Sequence, residues 1–424
     1  MHVGKRLAYL RRRKGLSQEG VANGVISRGH YSNIEAGRYK ALDDILLSLS
    51  NVLDVPAQYL TQSETSNCTL KSHLSQFENL LVENKLNEAE VKYKLIKTEF
   101  PYIYSMHQEI YFYILECYYY LKLEEFEKCK TIIEENINFY ISNWEQLPEW
   151  LHFIYHNVMG SWFYMISIYG ISEEHFQLAL SKTDDIIKKA RIYHNLSLIS
   201  HAKYQSHQAL IYAKRSLEIF MNEHQWIQVT YVYILLGVIH WENEVFDEAE
   251  IYLNKGLDLA KSHGFSHLEG KIYHNLGLVY DSNKEHEKSI KYLFLSVEKK
   301  IAEKSDSISL TYTVLLGILI SLNRISMAME VINTAKSFVE NEEDYFLLKT
   351  IDAKIHAAKN EWKEYEEIME KLISYFEENN KWIEVKILSE EYSEYLANRY
   401  KYKDAFYYSK ATLNAYNKLI QRGG

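Results

Sequence analysis

Apolar residues recur at helical spacing along the whole chain. Between Lys5 and Lys14, Leu7 and Leu10 share one face, arginines take the other, and Gly15 is placed to stop the helix. Ser17 stands at an N-cap position before Gln18-Glu19, and the second helix packs through Val21 and Ala22. After the Asn23-Gly24 turn, Ser27 caps a third helix. It turns Tyr31 and Ile34 inward and Arg28, His30 and Asn33 outward, and ends at Gly37. Leu42, Ile45, Leu46, Leu49 and Leu53 define a fourth helix, and Pro56 opens a fifth at its first helical position. The stretch Thr61-Gln62-Ser63-Glu64-Thr65-Ser66-Asn67 has no periodicity and predicts a linker. The expected division is therefore a head over residues 1–62, a linker over 63–69, and a second domain over 70–424.

Beyond the linker, small residues keep a fixed interval. Ala89, Cys129, Ala209, Ala249 and Ser289 are separated by 40 or 80 residues, as are Cys117, Ser197, Gly237, Gly277 and Gly317, and the two sets are offset by 12. Short polar turns such as Glu242-Asn243-Glu244 lie between them. Each unit therefore reads as two helices crossing closely at one small residue apiece. Units beginning near 70, 110, 150, 190, 230, 270, 310, 346 and 386 give nine. The third is irregular, since Tyr169 occupies its small position, and the eighth begins four residues early.

Composition narrows the class. Three prolines and 16 glycines in 424 residues are too few for a large β or α/β fold. No apolar run reaches the roughly 18 residues of a membrane span, and Met1-His2-Val3-Gly4-Lys5-Arg6 is not a secretory leader. Cys68, Cys117 and Cys129 form no CxxC pair, so neither a disulfide framework nor a zinc site is expected. Cys117 and Cys129 fall on crossing positions and read as packing residues. The reducing cytoplasm is the expected compartment. The 36 tyrosines are expected half-buried, with hydroxyls near water. Residues 1–62 carry nine Lys/Arg against five Asp/Glu, a net +4, whereas the remainder carries 39 against 52, a net −13. A basic head on an acidic body points to one anion-binding module. Seventeen histidines form no HExxH, and GxGxxG, P-loop and GxSxG motifs are missing. Acidic pairs such as Glu134-Glu135 and Asp184-Asp185 lie on exposed helix faces. No metal, no cofactor and no enzymatic activity are expected.

Leu16-Ser17-Gln18-Glu19, Ile26-Ser27-Arg28, Ser32-Asn33-Ile34-Glu35-Ala36-Gly37 and Leu53-Asp54-Val55 together resemble the phage-repressor/Cro-like (XRE) helix-turn-helix family over nearly all of residues 3–60. A proline common after the glycine is replaced by Tyr39-Lys40-Ala41. An outward helix of this kind fits the major groove of double-stranded DNA. Arg28, His30 and Asn33 are then the expected base readers. Ser17, Gln18, Arg38 and Lys40 are the expected phosphate contacts, the first two at a helix N-terminus.

The second domain is similar to the tetratricopeptide repeat. Tyr273, Leu276-Gly277, Tyr280, Ser289, Leu293 and Ser296 follow its spacing, as do Tyr233, Leu236-Gly237, Ala249 and Leu253, and Leu196-Ser197, Ala209 and Ala213. The resemblance implies an all-α chain: a five-helix head followed by a right-handed superhelix of about nine helix pairs with a concave groove suited to peptides. Tyr155-His156-Asn157, Tyr193-His194-Asn195 and Tyr273-His274-Asn275 repeat one triplet. The amides of Asn157, Asn195 and Asn275 either hold an extended peptide by its backbone or bond the adjacent helix. Arg191 and Lys271 either meet a peptide carboxylate or are solvated.

Head and repeats together resemble the Rap/NprR/PlcR/PrgX family of quorum-sensing regulators, by length and repeat count the NprR type. The resemblance implies a cytoplasmic, homo-oligomeric transcription regulator, a homodimer or larger. It would bind an operator through the head and a short signalling peptide in the groove. The alternative is a Rap-like regulator that sequesters a phosphorelay response regulator and is released by the peptide.

Overall fold

The computed structural model describes residues 2–138, 147–305, 307–338 and 342–423, and among these every regular element is a helix. The head comprises α1 (Val3–Arg13), α2 (Gln18–Ala22), α3 (Arg28–Glu35), α4 (Asp43–Val52) and α5 (Ala57–Thr61). Its ends are set by local chemistry. Ser17 Oγ accepts from the Gly20 N–H at 3.0 Å and Ser27 Oγ from the His30 N–H at 3.2 Å. Gly15 and Gly37 take the left-handed backbone (φ 65° and 73°) that follows α1 and α3. Leu7, Val21, Tyr31, Ile34, Leu49, Leu53 and Leu60 close a small core. Pro56 is the N-cap of α5 rather than its first residue. Leu42 likewise precedes α4, as its N-cap, and is 67% exposed.

Nine helix pairs follow among the described residues. The first unit of the chain, Met1–Ile219, holds α6 (Cys68–Val82) with α7 (Leu86–Glu99), and α8 (Met106–Lys122) with α9 (Phe126–Ile132), which runs on through a π turn over Ile133–Ile137. It continues with α10 (Glu149–Met165) and α11 (Tyr169–Ser181), then α12 (Ile186–Ala202) and α13 (Ser206–Asn222), which runs across the boundary at Ile219. The second unit, Phe220–Gly424, carries α14 (Trp226–Glu242) with α15 (Phe246–His263), and α16 (Ser266–Ser282) with α17 (His286–Ala302). Its remaining pairs are α18 (Ile308–Ser321) with α19 (Ile325–Lys336), α20 (Glu342–Ala358) with α21 (Trp362–Glu378), and α22 (Trp382–Asn398) with α23 (Tyr402–Gly423). No described helix is long and apolar enough to cross a membrane.

The repeat frame is marked by backbone. In every pair the first helix ends on a non-glycine residue with positive φ: Asn84, Glu124, Ser167, Tyr204, Glu244, Lys284, Asn323, Asn360 and Tyr400. The next N–H bonds back five residues, as Lys85 to Leu80, Glu125 to Tyr120 and Glu285 to Tyr280 do, which satisfies carbonyls the helix end would orphan.

Counted from these residues, the crossing positions lie seven before and five after. Cys129 Sγ faces Cys117 O at 3.4 Å, Ser197 Oγ donates to Ala209 O at 2.8 Å, and Ser289 Oγ donates to Gly277 O at 2.7 Å. The third unit uses Gly160 and Ser172, whose hydroxyl donates to Gly160 O at 2.7 Å. It is regular but displaced by three residues, and Tyr169 is simply out of frame. The seventh unit slips by one. Leu316 and Ala328 are its fully buried crossing residues, and Gly317, expected in that role, is exposed with nothing within 4 Å of where its Cβ would lie. Cys117 and Cys129 are fully buried free thiols, and the hydrogen bond with Cys129, together with burial, pushes the Cys117 thiol up.

A Cβ on Gly277 would lie 2.6 Å from Leu293 Cγ. Gly277→Ala should therefore cost about 1–3 kcal/mol by overpacking. Gly317→Ala, in an open helical position, should stabilise by about 0.5–1 kcal/mol. Urea unfolding of the two variants should move in opposite directions.

A set of the tyrosines between helices follows one scheme, while others such as Tyr204 and Tyr400 are exposed. Rings pack between helices, and hydroxyls reach carboxylates of neighbours: Tyr93 to Glu116 at 2.6 Å, Tyr280 to Glu250 at 2.7 Å and Tyr395 to Glu366 at 2.9 Å. These three hydroxyls are thereby satisfied and their helices tied together, whereas the buried Tyr312 hydroxyl makes no hydrogen bond among the described residues.

Candidate nucleic-acid interface and ligand seat

Helix α3 is capped at its N-terminus by Ser27 and held from behind by an ion pair. Arg11 Nε and Nη2 donate to the two oxygens of Glu35 at 2.6 and 3.1 Å, its Nη1 to Leu16 O at 3.0 Å, and Gln18 Nε2 to Glu35 Oε2 at 2.7 Å. Gln18 thus spends one amide N–H on bracing α2 against α3. Ser17 caps α2 and is exposed. Arg28, His30, Arg38 and Lys40 are exposed, and Asn33 is half-buried. Arg38 Nη1 donates to Asn33 Oδ1 at 3.2 Å, and His30 meets the ring of Tyr39 edge-on at 6.0 Å. The sequence reading missed the Arg11–Glu35 pair, although an arginine and a glutamate on two short helices of one motif were its signal.

Burial alone would push the Glu35 carboxyl up. The hydrogen bonds from Arg11 and Gln18 outweigh it and hold the group below its ordinary value. A carboxylate depressed on folding stabilises the fold above its unfolded pKa, about 4.3, and loses that contribution as pH falls through the lower folded value. The head should therefore weaken in acid below about pH 4.3, and Arg11→Met should flatten that limb. Amide exchange of α3 across the acid range is the measurement.

Behind α3 the head is fastened to the repeats of its own unit. Arg6 is fully buried. Its guanidinium lies 4.0 Å from the Tyr59 ring and donates to Tyr59 O (2.5 Å), Tyr104 O (2.6 Å), Ile103 O (3.1 Å) and Glu109 Oε2 (2.7 Å), while Tyr59 gives its hydroxyl to the other Glu109 oxygen. Tyr9 packs into the repeat core and accepts from Asn136 Nδ2 at 2.8 Å. The polar stretch after α5 is not slack. Met106 N–H donates to Ser63 O at 2.9 Å, and Asn67 exchanges two hydrogen bonds with Gln108 at 2.9 and 2.8 Å.

In the same unit, three first helices and one second helix enclose a cavity of about 310 Å³. Tyr118, Leu121 and Lys122 of α8, Ser161, Tyr164 and Met165 of α10, Phe176 of α11, and Asn195 and Leu198 of α12 line it with Glu124. The small residue Gly160 lets the Phe176 ring come close. Among the described residues the Asn195 amide has no partner within the chain, so both its donor and its acceptor are available at the cavity wall. One turn earlier on α12, Arg191 is half-buried and its Nε makes no hydrogen bond. Burial holds His194 down to about 4, so it is neutral near pH 7.

The triplets do not form one row. Asn195 and Asn275 sit two residues before their crossing positions, whereas Asn157 sits three before Gly160, in the register of His194 and His274. The three-residue displacement of the third unit is the cause. His156, a further residue out of register, lies instead with its Nδ1 3.0 Å from that of His175. In the second unit Asn275 is half-buried and Lys271 exposed. Beside them Lys300 is buried, donating to Ser307 O at 3.0 Å and Thr311 Oγ1 at 2.8 Å. Burial, with help from Lys271, lowers its pKa to about 8.

Two family models match this chain: a helix-turn-helix over residues 7–60 and a tetratricopeptide repeat over 230–263 and 270–296. The transcriptional activator NprA of Geobacillus stearothermophilus is 20% identical over 421 residues, covering 94% of this chain and all of that protein. Response regulator aspartate phosphatase I of Bacillus subtilis (strain 168) is 31% identical over 150 residues, 35% of this chain and 37% of its own length. Among solved structures, the apo form of the quorum sensor NprR from B. thuringiensis superposes with a TM-score of 0.63 at 16% identity, over 82% of this chain and 98% of that one. NprR in complex with its cognate peptide NprX superposes at 0.54 and 15% identity, over 83% and 99%.

Proposed function

We propose that this chain is a peptide-sensing transcription regulator of the Rap/NprR/PlcR/PrgX kind, a reading supported by the helix-turn-helix and tetratricopeptide matches and by the likeness to the transcriptional activator NprA along nearly the whole chain. Its head binds an operator, its repeats take a short peptide, and the peptide changes operator binding. The observation that carries this reading is the cavity beside Asn195, walled by repeat helices of the unit that also holds the reader head. Aromatic and aliphatic walls with one free amide suit a peptide: the amide pairs with a backbone unit and the walls take a side chain. Asn195, Arg191, Asn275 and Lys271 are the proposed ligand contacts, with Asn157 standing apart from their register. Arg28, His30 and Asn33 are the proposed base readers, and Ser17, Gln18, Arg38 and Lys40 the phosphate contacts.

One head of this size reads one half-site, so an operator with two half-sites recruits two copies of the chain. A second reading, capture of a phosphorelay response regulator, is favoured by the 31% match to the aspartate phosphatase. The two are compatible, and the peptide would act on both.

The test is operator binding by the full chain, measured by anisotropy on duplexes selected from random sequence. The logarithm of affinity should fall with the logarithm of salt by about 0.9 per phosphate contacted. Asn33→Ala should cost about 1–3 kcal/mol on the selected site alone, whereas Lys40→Ala should weaken all duplexes alike. A salt-independent affinity would contradict the assignment.

A further inference from the structure

One helix carries both attachments described above. The first turns of α8 hold the head and the segment that follows it: Glu109 receives Arg6 and Tyr59 of the head, Met106 bonds Ser63, and Gln108 pairs with Asn67. Its last turns supply Tyr118, Leu121 and Lys122 to the cavity wall. A 17-residue helix spans about 25 Å and moves as a rod.

The head end is built to respond sharply. A fully buried guanidinium is tolerable only while its acceptors are all in place, and these come from two sides. Tyr59 O belongs to the head, and Ile103 O, Tyr104 O and Glu109 to the repeats. The contact is therefore either made or broken, with little between, as packed interfaces tend to be.

We propose that α8 is the relay of this protein, and that Arg6, Glu109 and Tyr59 are positioning residues that make the reader head follow whatever fills the cavity. This rests on the reading of the cavity as a ligand seat. With the clamp closed, rotation or translation of α8 re-aims α3. With the clamp broken, the head is tethered but no longer aimed.

The experiment needs no ligand. In the full chain with Cys68→Ser, spin labels at Ser48→Cys in the head and Lys130→Cys in the repeats, both exposed, report their separation by pulsed electron paramagnetic resonance. The unsubstituted clamp should give one narrow distance distribution. Arg6→Met and, separately, Glu109→Gln should broaden it, with circular dichroism checking that the helices persist. Ser161→Trp, which fills the cavity, should shift the mean distance with the clamp intact and not in the Glu109→Gln background. A broad distribution in the unsubstituted clamp, or one that ignores both substitutions, overturns the clamp. A mean that ignores Ser161→Trp overturns the relay. Peptide titration reads the other premise separately: a chain that binds no peptide sinks the ligand reading and leaves these distances as they are.

Discussion

Glu109→Ala should destabilise the first unit by about 3–5 kcal/mol, because it strands a buried guanidinium without its counter-ion. Arg6 is fully buried and the Glu109 side chain is 5% exposed, so water cannot replace the lost partner. The carbonyls of Tyr59, Ile103 and Tyr104 remain, but as dipoles they do not neutralise the charge. The Tyr59 hydroxyl loses its acceptor in the same step. The double substitution Arg6→Met with Glu109→Leu should recover most of the loss, since an apolar pair of similar volume removes the charge instead of orphaning it. Urea unfolding, read as the midpoint shift at constant slope, measures both. A loss below about 1 kcal/mol, the range of an exposed pair, would contradict the burial of this contact.

Phe176→Ala should cost about 3–5 kcal/mol as well, by a different mechanism. The ring is 2% exposed and seated against Gly160, where even an added Cβ would come within 2.9 Å of it. Its removal deepens the cavity that Asn195 borders, and the surrounding helices can collapse only in part. Stability and ligand affinity should fall together in this variant. Asn195→Ala, whose amide bonds nothing among the described residues, should leave stability within about 0.5 kcal/mol and weaken only the ligand.

Much of the fold was legible because its punctuation is chemical. Gly15, Ser17, Ser27 and Gly37 stop and start the head helices by backbone freedom and capping, and those signals sit at fixed places in the sequence. The repeat was legible through its small crossing residues. Its slips were not, because the frame is set by left-handed residues such as Glu124, Ser167 and Asn323, which no composition rule singles out. That is why Gly317 was misplaced and why Asn157 looked equivalent to Asn195 and Asn275.

The clamp was hidden for another reason. Arg6 reads as one more arginine on the wet side of an amphipathic helix, and its partner lies 103 residues away. A trace was present all the same. Glu109 and Glu116 are the only acids in the largely apolar and aromatic run from Met106 to Leu121, where His107 and Gln108 are the other polar residues, and an acid in such a run implies a buried partner. In the fold they meet Arg6 and Lys97.

The central claim, one chain coupling a peptide seat to an operator reader, is tested most directly by linkage. The full chain is titrated calorimetrically with members of a library of short synthetic peptides, with and without saturating operator duplex. The account predicts that at least one peptide binds and that Asn195→Ala weakens it by about 1–3 kcal/mol. It also predicts that operator changes the peptide's affinity by the same factor by which the peptide changes the operator's. Peptide affinity identical with and without operator, or unaltered by Asn195→Ala and by filling the cavity through Ser161→Trp, would contradict it.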